Sequence, residues 1–291
     1  MTSRETTTAI IKKAYLNTKQ SVKNAPAIFI PFIIFAIIEF IALICIYLAP
    51  RMPLRLILGP PIRTFWGEGF LHYPLNFLLI PKLMSLSRMF LSIIFSSVLT
   101  GMAVVIISDI YNKKHLNLET AFKSALKKYI SLFSIVFILT LLYYGLIKIL
   151  NTGLAKYFIA GHTRLLFLGV RAWLGPILFV INFILGVLIQ SAFIYAIPTL
   201  IIENEKLPKS ITRSFALFKK LFVPTLILVG LPILFYIPIV IIQGNSTILM
   251  NKLFPEFILW VAILGIIVNA LIDLVITTSC TFLYLMNREG S

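Results

Sequence analysis

The stretch FILWVAILGIIVNALIDLVITTSCTFLYLM, residues Phe257–Met286, decides the fold of this chain. It is 30 residues long and holds a single charged side chain, Asp273. A helix needs about 20 consecutive, mainly apolar residues to cross the hydrocarbon core of a bilayer. A run of this length and composition therefore predicts a transmembrane helix.

Five runs of similar character precede this one, which makes six predicted spans. They are Ala27–Leu48, Met84–Ile107, Ile130–Leu150, Trp173–Ile202, Leu221–Ile242 and Phe257–Met286. A lone strand leaves its backbone donors and acceptors unpaired in lipid, and the alternating pattern of a membrane barrel is absent. The sequence therefore predicts an all-α polytopic membrane protein, with one membrane domain over residues 1–291. The first run is too long for a cleavable leader, so we expect it to remain as an anchor.

The composition agrees with a membrane protein. Of the 291 residues, 59% are hydrophobic and 12% are charged, whereas soluble domains carry roughly a quarter charged residues. This balance excludes a soluble enzyme, a secreted disulfide scaffold and a free nucleic-acid-binding protein. The 26 basic and 10 acidic residues give a formal net charge of +16. Both cysteines lie inside apolar runs and are interpreted as packing residues.

The chain also divides into three similar parts. Each odd-numbered span follows a short basic stretch with helical spacing, and each even-numbered span ends at an Asn among charged residues. The pattern predicts repeat-like units over residues 9–114, 118–206 and 209–288, each with one basic amphipathic interfacial helix and two transmembrane helices. Because each unit holds an even number of spans, all three would insert with the same polarity about the membrane normal.

The positions of the basic residues predict the orientation. On this topology, 16 of the 26 Lys and Arg residues fall on the side of the N-terminus. Lys and Arg are in excess on the cytoplasmic side of membrane proteins. We therefore predict a multi-pass protein of the plasma (inner) membrane of a prokaryote, with both termini cytoplasmic.

The three basic stretches are candidates for contact with lipid. In the middle one, Phe122, Ala125, Leu126 and Tyr129 recur at helical spacing, and the lysines lie off this stripe. Such a helix lies in the membrane interface with its basic side chains toward anionic headgroups. The candidate headgroup-binding residues are Lys12, Lys13, Lys19, Lys123, Lys127, Lys128, Arg213, Lys219 and Lys220. The alternative is an ordinary topology signal without specific lipid recognition.

The connections on the opposite side are also apolar and aromatic. Residues 49–82 form the first of them, and the second contains Lys156, Tyr157, His162, Arg164, Arg171 and Trp173. Trp, Tyr and Arg favour the headgroup zone. We expect interfacial segments that cover this leaflet, with a re-entrant segment within residues 54–80 as the alternative.

Polar residues inside the spans are functional candidates, because ionisable groups at bilayer depth are costly. Glu39 and Asp273 lie near the middles of spans 1 and 6, whereas Arg88 and Asp109 lie near the ends of span 2, from which they could reach the interface. Each even-numbered span carries polar side chains four residues apart on one face. The candidate intramembrane residues are Glu39, Ser92, Ser96, Thr100, Asn182, Gln190, Asn269, Asp273 and Thr277.

These polar stripes predict that the even-numbered helices face inward. They either hydrogen-bond the helices to one another or line a narrow hydrated cavity. With no Lys or Arg expected at bilayer depth, such a cavity would suit a neutral or cationic guest. Glu39 either has a functional role or is protonated and merely hydrogen-bonded.

Motifs of enzyme chemistry are absent from the sequence. It contains no zinc-protease, nucleophile-elbow, phosphate-loop or dinucleotide-binding pattern. Glu68, His72 and His162 could meet on one face as a weak acid/base or metal set. We expect a non-enzymatic protein with no catalytic residues, no metal and no cofactor.

Three segments resemble a known family. They are residues 118–125 (LETAFKSA), residues 197–220 (IPTLIIENEKLPKSITRSFALFKK) and residues 284–289 (YLMNRE). They are similar to the prokaryotic six-helix membrane proteins that include the membrane domain fused to some glycerophosphodiester phosphodiesterases. The resemblance implies the same six-helix architecture, without a phosphodiesterase domain. The family has no established activity.

Two functions remain open on the sequence. The first is a non-enzymatic integral membrane protein that engages membrane lipids, anionic ones in particular, in envelope lipid handling or in support of a membrane complex. The second is a small transporter or channel that uses the polar faces of spans 2, 4 and 6. Convergence of these faces on a water-accessible cavity would favour the second.

Overall fold

The computed structural model describes residues 7–160 and 167–289, and the regular structure within these ranges is helical throughout. Fourteen α-helices follow one another along the chain: α1 Thr7–Asn24, α2 Ile30–Leu48, α3 Leu54–Trp66, α4 Leu79–Leu91, α5 Ser97–Tyr111, α6 Leu118–Lys127, α7 Tyr129–Ala160, α8 Phe167–Phe193, α9 Ala196–Ile202, α10 Leu207–Lys220, α11 Phe222–Leu234, α12 Ile237–Gly244, α13 Ser246–Lys252 and α14 Phe257–Glu289. This confirms the predicted all-α class.

Five helical stretches among the described residues are long and apolar enough to cross a membrane. They are Pro26–Leu48, Leu75–Tyr111, Tyr129–Gly153, Gly175–Ile202 and Phe257–Arg288. The count rises to six if α10 and α11, which meet at 96°, form one bent span. The chain is therefore a helical membrane protein with five or six candidate spans.

The second span begins earlier than predicted, at Leu75 rather than at Met84. The predicted connection over residues 49–82 includes Pro81 and Lys82, but Pro81 lies in the first turn of α4, where a missing N–H costs no helical hydrogen bond. The ammonium of Lys82 lies over the ring of Phe70, 5.9 Å from its centre. Arg88 consequently lies well inside the helical stretch.

The predicted span Leu221–Ile242 is interrupted in the structure. Helix α11 ends at Leu234 and α12 begins at Ile237. Pro238 explains the break, because its ring nitrogen cannot donate the helical hydrogen bond to the carbonyl of Leu234. The phenol of Tyr236 projects from the turn between the two helices toward Arg88.

The three basic stretches form α1, α6 and α10, and each buries two small side chains one turn apart. The pairs are Ala14 and Thr18, Ala121 and Ala125, and Ser210 and Ser214. Small side chains allow two helix backbones to approach closely. The pair on α6 packs against α5, the pair on α10 against α8 and α9, and the pair on α1 against α14.

The three basic helices gather at the end of the bundle where α5, α9 and α14 finish. The amide of Asn17 on α1 lies 3.7 Å from the sulfur of Met286 near the end of α14. Tyr284 donates a hydrogen bond of 2.5 Å to Glu203, the residue that follows α9. We call this end of the molecule the basic end.

Five helices enclose the centre of the bundle. In order around it, α5, α7, α8, α11 and α14 each pack against the next, and α14 closes the ring on α5. Helices α2 and α4 pack against each other and against α14, and both also border the central space. The polar faces of α5, α8 and α14 are therefore brought toward one space.

The opposite end carries α3 and two short 3-10 turns, Glu68–Leu71 and Leu75–Leu78. Buried apolar side chains join them to the ends of α2 and α4, in a cluster made by Ala49, Ile62, Leu71 and Leu79. The other face of α3 exposes Leu56, Ile57 and Phe65. Residues 54–66 are thus an amphipathic helix, as the interfacial interpretation of this segment expects.

A polar cavity inside the helix bundle

The polar stripe of α14 faces the centre of the helix ring. Asn269, Asp273 and Thr277 are spaced four residues apart, so they lie one above another on the helix. The amide of Asn269 donates a hydrogen bond of 3.2 Å to the Asp273 carboxylate. Asp273 is partly accessible and therefore borders open space.

A second polar stripe runs along the neighbouring span. The segment Ser92–Ser96 between α4 and α5 forms a π-helical turn, a feature that often marks functional sites. Ser92 donates a hydrogen bond to the carbonyl of Met89 at 2.9 Å, and the hydroxyls of Ser96 and Thr100 lie 3.5 Å apart. The extra residue of the π turn does not remove these side chains from the inner face, because all three border the same space.

The third polar stripe comes from α8. The amide of Asn182 donates to the side-chain oxygen of Asn151 on α7 at 3.5 Å, and Gln190 lies two turns further along α8. Gly186 stands between them, where a Cβ atom would come within 3.2 Å of the Tyr143 ring. The missing side chain leaves room for this tyrosine at the wall of the space.

The three stripes converge on one cavity of about 510 Å³. Eight of the nine polar residues predicted inside the membrane border it: Ser92, Ser96, Thr100, Asn182, Gln190, Asn269, Asp273 and Thr277. From Ser85 to Val104 its wall follows α4, the π turn and α5 for roughly 28 Å, at 1.5 Å per residue. The cavity therefore extends through most of the thickness of the bundle.

Sequence reasoning missed part of the wall, because it assigned inward polar faces to the even-numbered spans only. Thr140, Tyr143 and Tyr144 of α7 also border the cavity. Thr140 donates its hydroxyl hydrogen to the carbonyl of Val136 at 2.8 Å, so it presents mainly its methyl group and an oxygen lone pair. Thr140, Tyr143 and Tyr144 lie four, seven and eight residues after Val136, another wall residue, and this helical spacing was the available signal.

The cavity narrows toward the basic end. There the wall residues Val104 and Thr281 are almost fully buried, and Ile106, Leu200 and Leu283 fill the space beyond them. At the other end Ser85 and Tyr144 are exposed. The cavity is thus closed at the basic end and opens toward the opposite half of the bundle.

The ninth predicted residue, Glu39, lies behind the wall in an ion pair with Arg88. Glu39 is only 1% exposed, and Arg88 donates to it from Nε to Oε1 at 2.5 Å and from Nη2 to Oε2 at 3.2 Å. The remaining guanidinium nitrogen, Nη1, donates to the phenol of Tyr236 at 2.5 Å. Glu39 is therefore paired with a cation in this structure.

This ion pair corrects two expectations from the sequence. Arg88 does not reach for the membrane interface, because its helix begins nine residues earlier at Leu79 and turns the side chain toward Glu39. A basic residue does lie at bilayer depth. Its charge is matched by Glu39, and Asp273 lies close enough to interact electrostatically with both partners. When all three groups are ionised, they together carry one net negative charge.

The nine predicted headgroup residues lie on α1, α6 and α10 or, for Lys128, directly after α6. All except Lys128 are exposed. Exposed apolar side chains stand among them, namely Leu16 on α1, Phe122 and Leu126 on α6, and Phe215 on α10. This mixture of cationic and apolar groups is typical of a helix that lies in a membrane interface.

Charges on α10 are partly matched locally. Arg213 forms salt bridges with Glu203 and Glu205, and Lys209 pairs with Glu205 at 2.8 Å. The hydrogen bond from Lys209, with the charges of Lys209 and Arg213, lowers the pKa of Glu205. The residues Lys219 and Lys220 are exposed at the end of the helix.

Of the weak acid/base set, Glu68 and His72 lie among the described residues. Glu68 forms a salt bridge of 3.1 Å with Arg63. His162 lies outside the described residues, and Lys156, Tyr157, Arg164, Arg171 and Trp173 lie where side chains are not described. In the described part of the chain, no three His, Cys, Asp or Glu side chains are grouped as a metal site would require.

The fold and the cavity define a helical membrane protein with a polar interior. Comparison with protein-family models, with curated proteins and with solved structures finds no match to this chain. Its function is therefore argued from the site.

Proposed function

We propose that this protein binds a small neutral or cationic molecule in its central cavity and passes it across the membrane. The observation that carries this proposal is the convergence of the polar faces of α5, α8 and α14 on one open space. Stripes that served only to join helices would be buried against each other. These side chains instead border a volume of about 510 Å³, within the usual range for small-molecule sites.

The charge of the cavity supports the preference for a neutral or cationic guest. Arg88 is neutralised by Glu39 through two hydrogen bonds. The partner of the Asp273 carboxylate is the neutral amide of Asn269. An anion would meet the unmatched negative charge of Asp273 in a medium of low dielectric, where like charges repel strongly.

For the membrane arrangement we propose six spans in three units, with α10 and α11 forming the bent fifth crossing. The small-residue pairs of α1, α6 and α10 support this repeat, because each packs beside the end of an even-numbered span. The contact of α1 with α14 joins the first unit to the last, as a closed threefold arrangement requires. With the basic end cytoplasmic, the cavity of an inner-membrane protein would open outward.

Flux into proteoliposomes tests the transport proposal. Radiolabelled tetramethylammonium and glycerol serve as a cationic and a neutral probe, and sulfate serves as an anion. We expect tetramethylammonium or glycerol to enter faster than in protein-free vesicles, and sulfate to be excluded. Substitution of both Asn269 and Asp273 by Leu should abolish this flux. Unchanged flux in a folded double variant would overturn the proposal.

A second role, engagement of anionic lipid, is supported by the surface of the basic helices. Their exposed lysines stand beside exposed Leu16, Phe122, Leu126 and Phe215. Each basic residue near an anionic surface contributes about 1 kcal/mol. Native mass spectrometry with phosphatidylglycerol and phosphatidylcholine tests this role. Equal binding of the two lipids would remove its support.

A further inference from the structure

We infer that a pocket at the basic end binds the phosphate group of an anionic lipid headgroup. The pocket is separate from the central cavity and has a volume of about 600 Å³. It lies where the ends of α5, α6 and α9 meet the end of α14. The inference rests on the proposed engagement of anionic lipid and assigns it a defined site.

The ionisable side chains around the pocket are mostly basic. Lys114, Lys127, Lys128 and Arg288 stand on its wall with one acidic residue, Asp109. The pocket therefore carries a net charge of three positive units when all five groups are ionised. They come from three separate segments of the chain, so folding is what brings them together.

Lys128 is held in place by the fold. It is partly buried, and its ammonium donates a hydrogen bond of 2.5 Å to the carbonyl of Leu200 at the end of α9. A lysine has three N–H donors, so two remain to bind an anion. Its partner is a neutral carbonyl, so no acid neutralises the charge at this contact. Burial lowers the pKa of Lys128, which a bound phosphate would offset.

The other wall residues fit a phosphate with an attached apolar part. Ser108, Asn112, Ser124 and Asn204 add polar side chains around the mouth. Val105, Ile201 and Ile202 form an apolar part of the wall. Val105 lies about one helical turn deeper in the bundle than Asp109. A lipid can therefore place its phosphate among the lysines and its glycerol and first methylenes against the apolar side.

Native mass spectrometry of the full chain in a neutral detergent tests this site. We expect one phosphatidylglycerol to bind at least about tenfold more tightly than phosphatidylcholine, because several cations act together. The substitution K114Q/K127Q should weaken this binding by about tenfold, and K114Q/K127Q/K128Q should weaken it further. The matched control K148Q/K252Q removes two exposed charges at the end of the molecule opposite the pocket and should change the affinity less than twofold. Thermal melting verifies that each variant is folded.

The outcomes separate the pocket from the general surface. Equal loss of binding in the pocket and control variants would overturn the pocket and leave lipid engagement standing. No preference of the unmodified chain for phosphatidylglycerol would overturn both. Calorimetric titration with inorganic phosphate distinguishes the source of the anion: a saturable heat that disappears in K114Q/K127Q would assign the site to free phosphate. If inorganic phosphate produces no saturable heat and the lipid still binds, the site is assigned to the lipid.

Discussion

Arg88 on α4 holds the carboxylate of Glu39 on α2 through two hydrogen bonds, of 2.5 Å and 3.2 Å, at the depth of the membrane. Glu39 is buried, and Arg88 also borders the central cavity. The pair therefore joins α2 to α4 at the wall of the cavity. It explains how this bundle tolerates an acid and a base inside apolar spans.

Removing one partner of this pair should destabilise the protein strongly. The substitution E39L leaves the Arg88 charge buried without its acid, which typically costs about 3–5 kcal/mol. The double substitution E39L/R88M removes both charges and should recover part of the loss. Thermal melting in detergent measures both variants. Equal melting temperatures for E39L and the unmodified chain would contradict the ion pair.

The packing of α6 against the bundle depends on the absence of a side chain at Gly101. A Cβ atom there would lie 2.8 Å from Leu132 Cδ1 and 3.3 Å from the Cβ of Ala125. The substitution G101A should therefore cost about 1–3 kcal/mol through overpacking. Gly145 is the matched control, because a Cβ atom there meets no atom within 4 Å. G145A should be neutral or slightly stabilising, and equal destabilisation by both substitutions would contradict this packing.

The attachment of α10 depends on the buried hydroxyl of Ser214. It donates a hydrogen bond of 2.7 Å to the carbonyl of Ala192 on α8. S214A leaves this carbonyl unpaired and should cost about 1 kcal/mol. Hydrogen exchange of the α10 amides should become faster in this variant. T212A, which changes an exposed hydroxyl on the same helix, should leave the exchange unchanged. Similar exchange in both variants would contradict a role of the Ser214 hydrogen bond in attaching α10.

Acid should weaken the charge network of α10. The hydrogen bond from Lys209 lowers the pKa of Glu205 below its ordinary value of 4.5, so the folded state favours the ionised carboxylate. The stability that the ionised Glu205 carboxylate contributes is present above pH 4.5 and is lost as the pH falls through the lowered pKa of Glu205. The protection of the α10 amides, which is the intrinsic exchange rate at each pH divided by the observed rate, should therefore fall below about pH 4.5. E205Q should remove this fall, and a fall that persists in E205Q would assign it to another group.

The sequence predicts the helices and the inward faces of this protein well, because both depend on local periodicity. The spacing of Asn269, Asp273 and Thr277 on α14 gives their common face without any tertiary information. The same holds for Ser96 and Thr100. That these faces border a cavity is a tertiary property, because it depends on how far α5, α8 and α14 stand from one another.

The ion pair could not be read from the sequence for a related reason. Recognising the ion pair required the correct start of α4. The predicted span began at Met84, after Pro81 and Lys82, whereas α4 begins at Leu79. Once Leu79 begins the helix, Arg88 must lie among the apolar side chains and needs an acid nearby. The partner on α2 and the contact with Tyr236 depend on helix packing, which residue spacing does not encode.

The most direct test of the central proposal is whether water reaches the cavity in a membrane. In a chain with both native cysteines replaced by Ala, single cysteines are placed at Ser96 on the cavity wall and at Ile184 on the exposed face of α8. Proteoliposomes are then treated with a water-soluble, positively charged thiol reagent. The proposal predicts rapid labelling of S96C and at least about tenfold slower labelling of I184C, because a thiolate forms readily only in contact with water. Equal protection of both cysteines in folded protein would contradict a solute-accessible cavity.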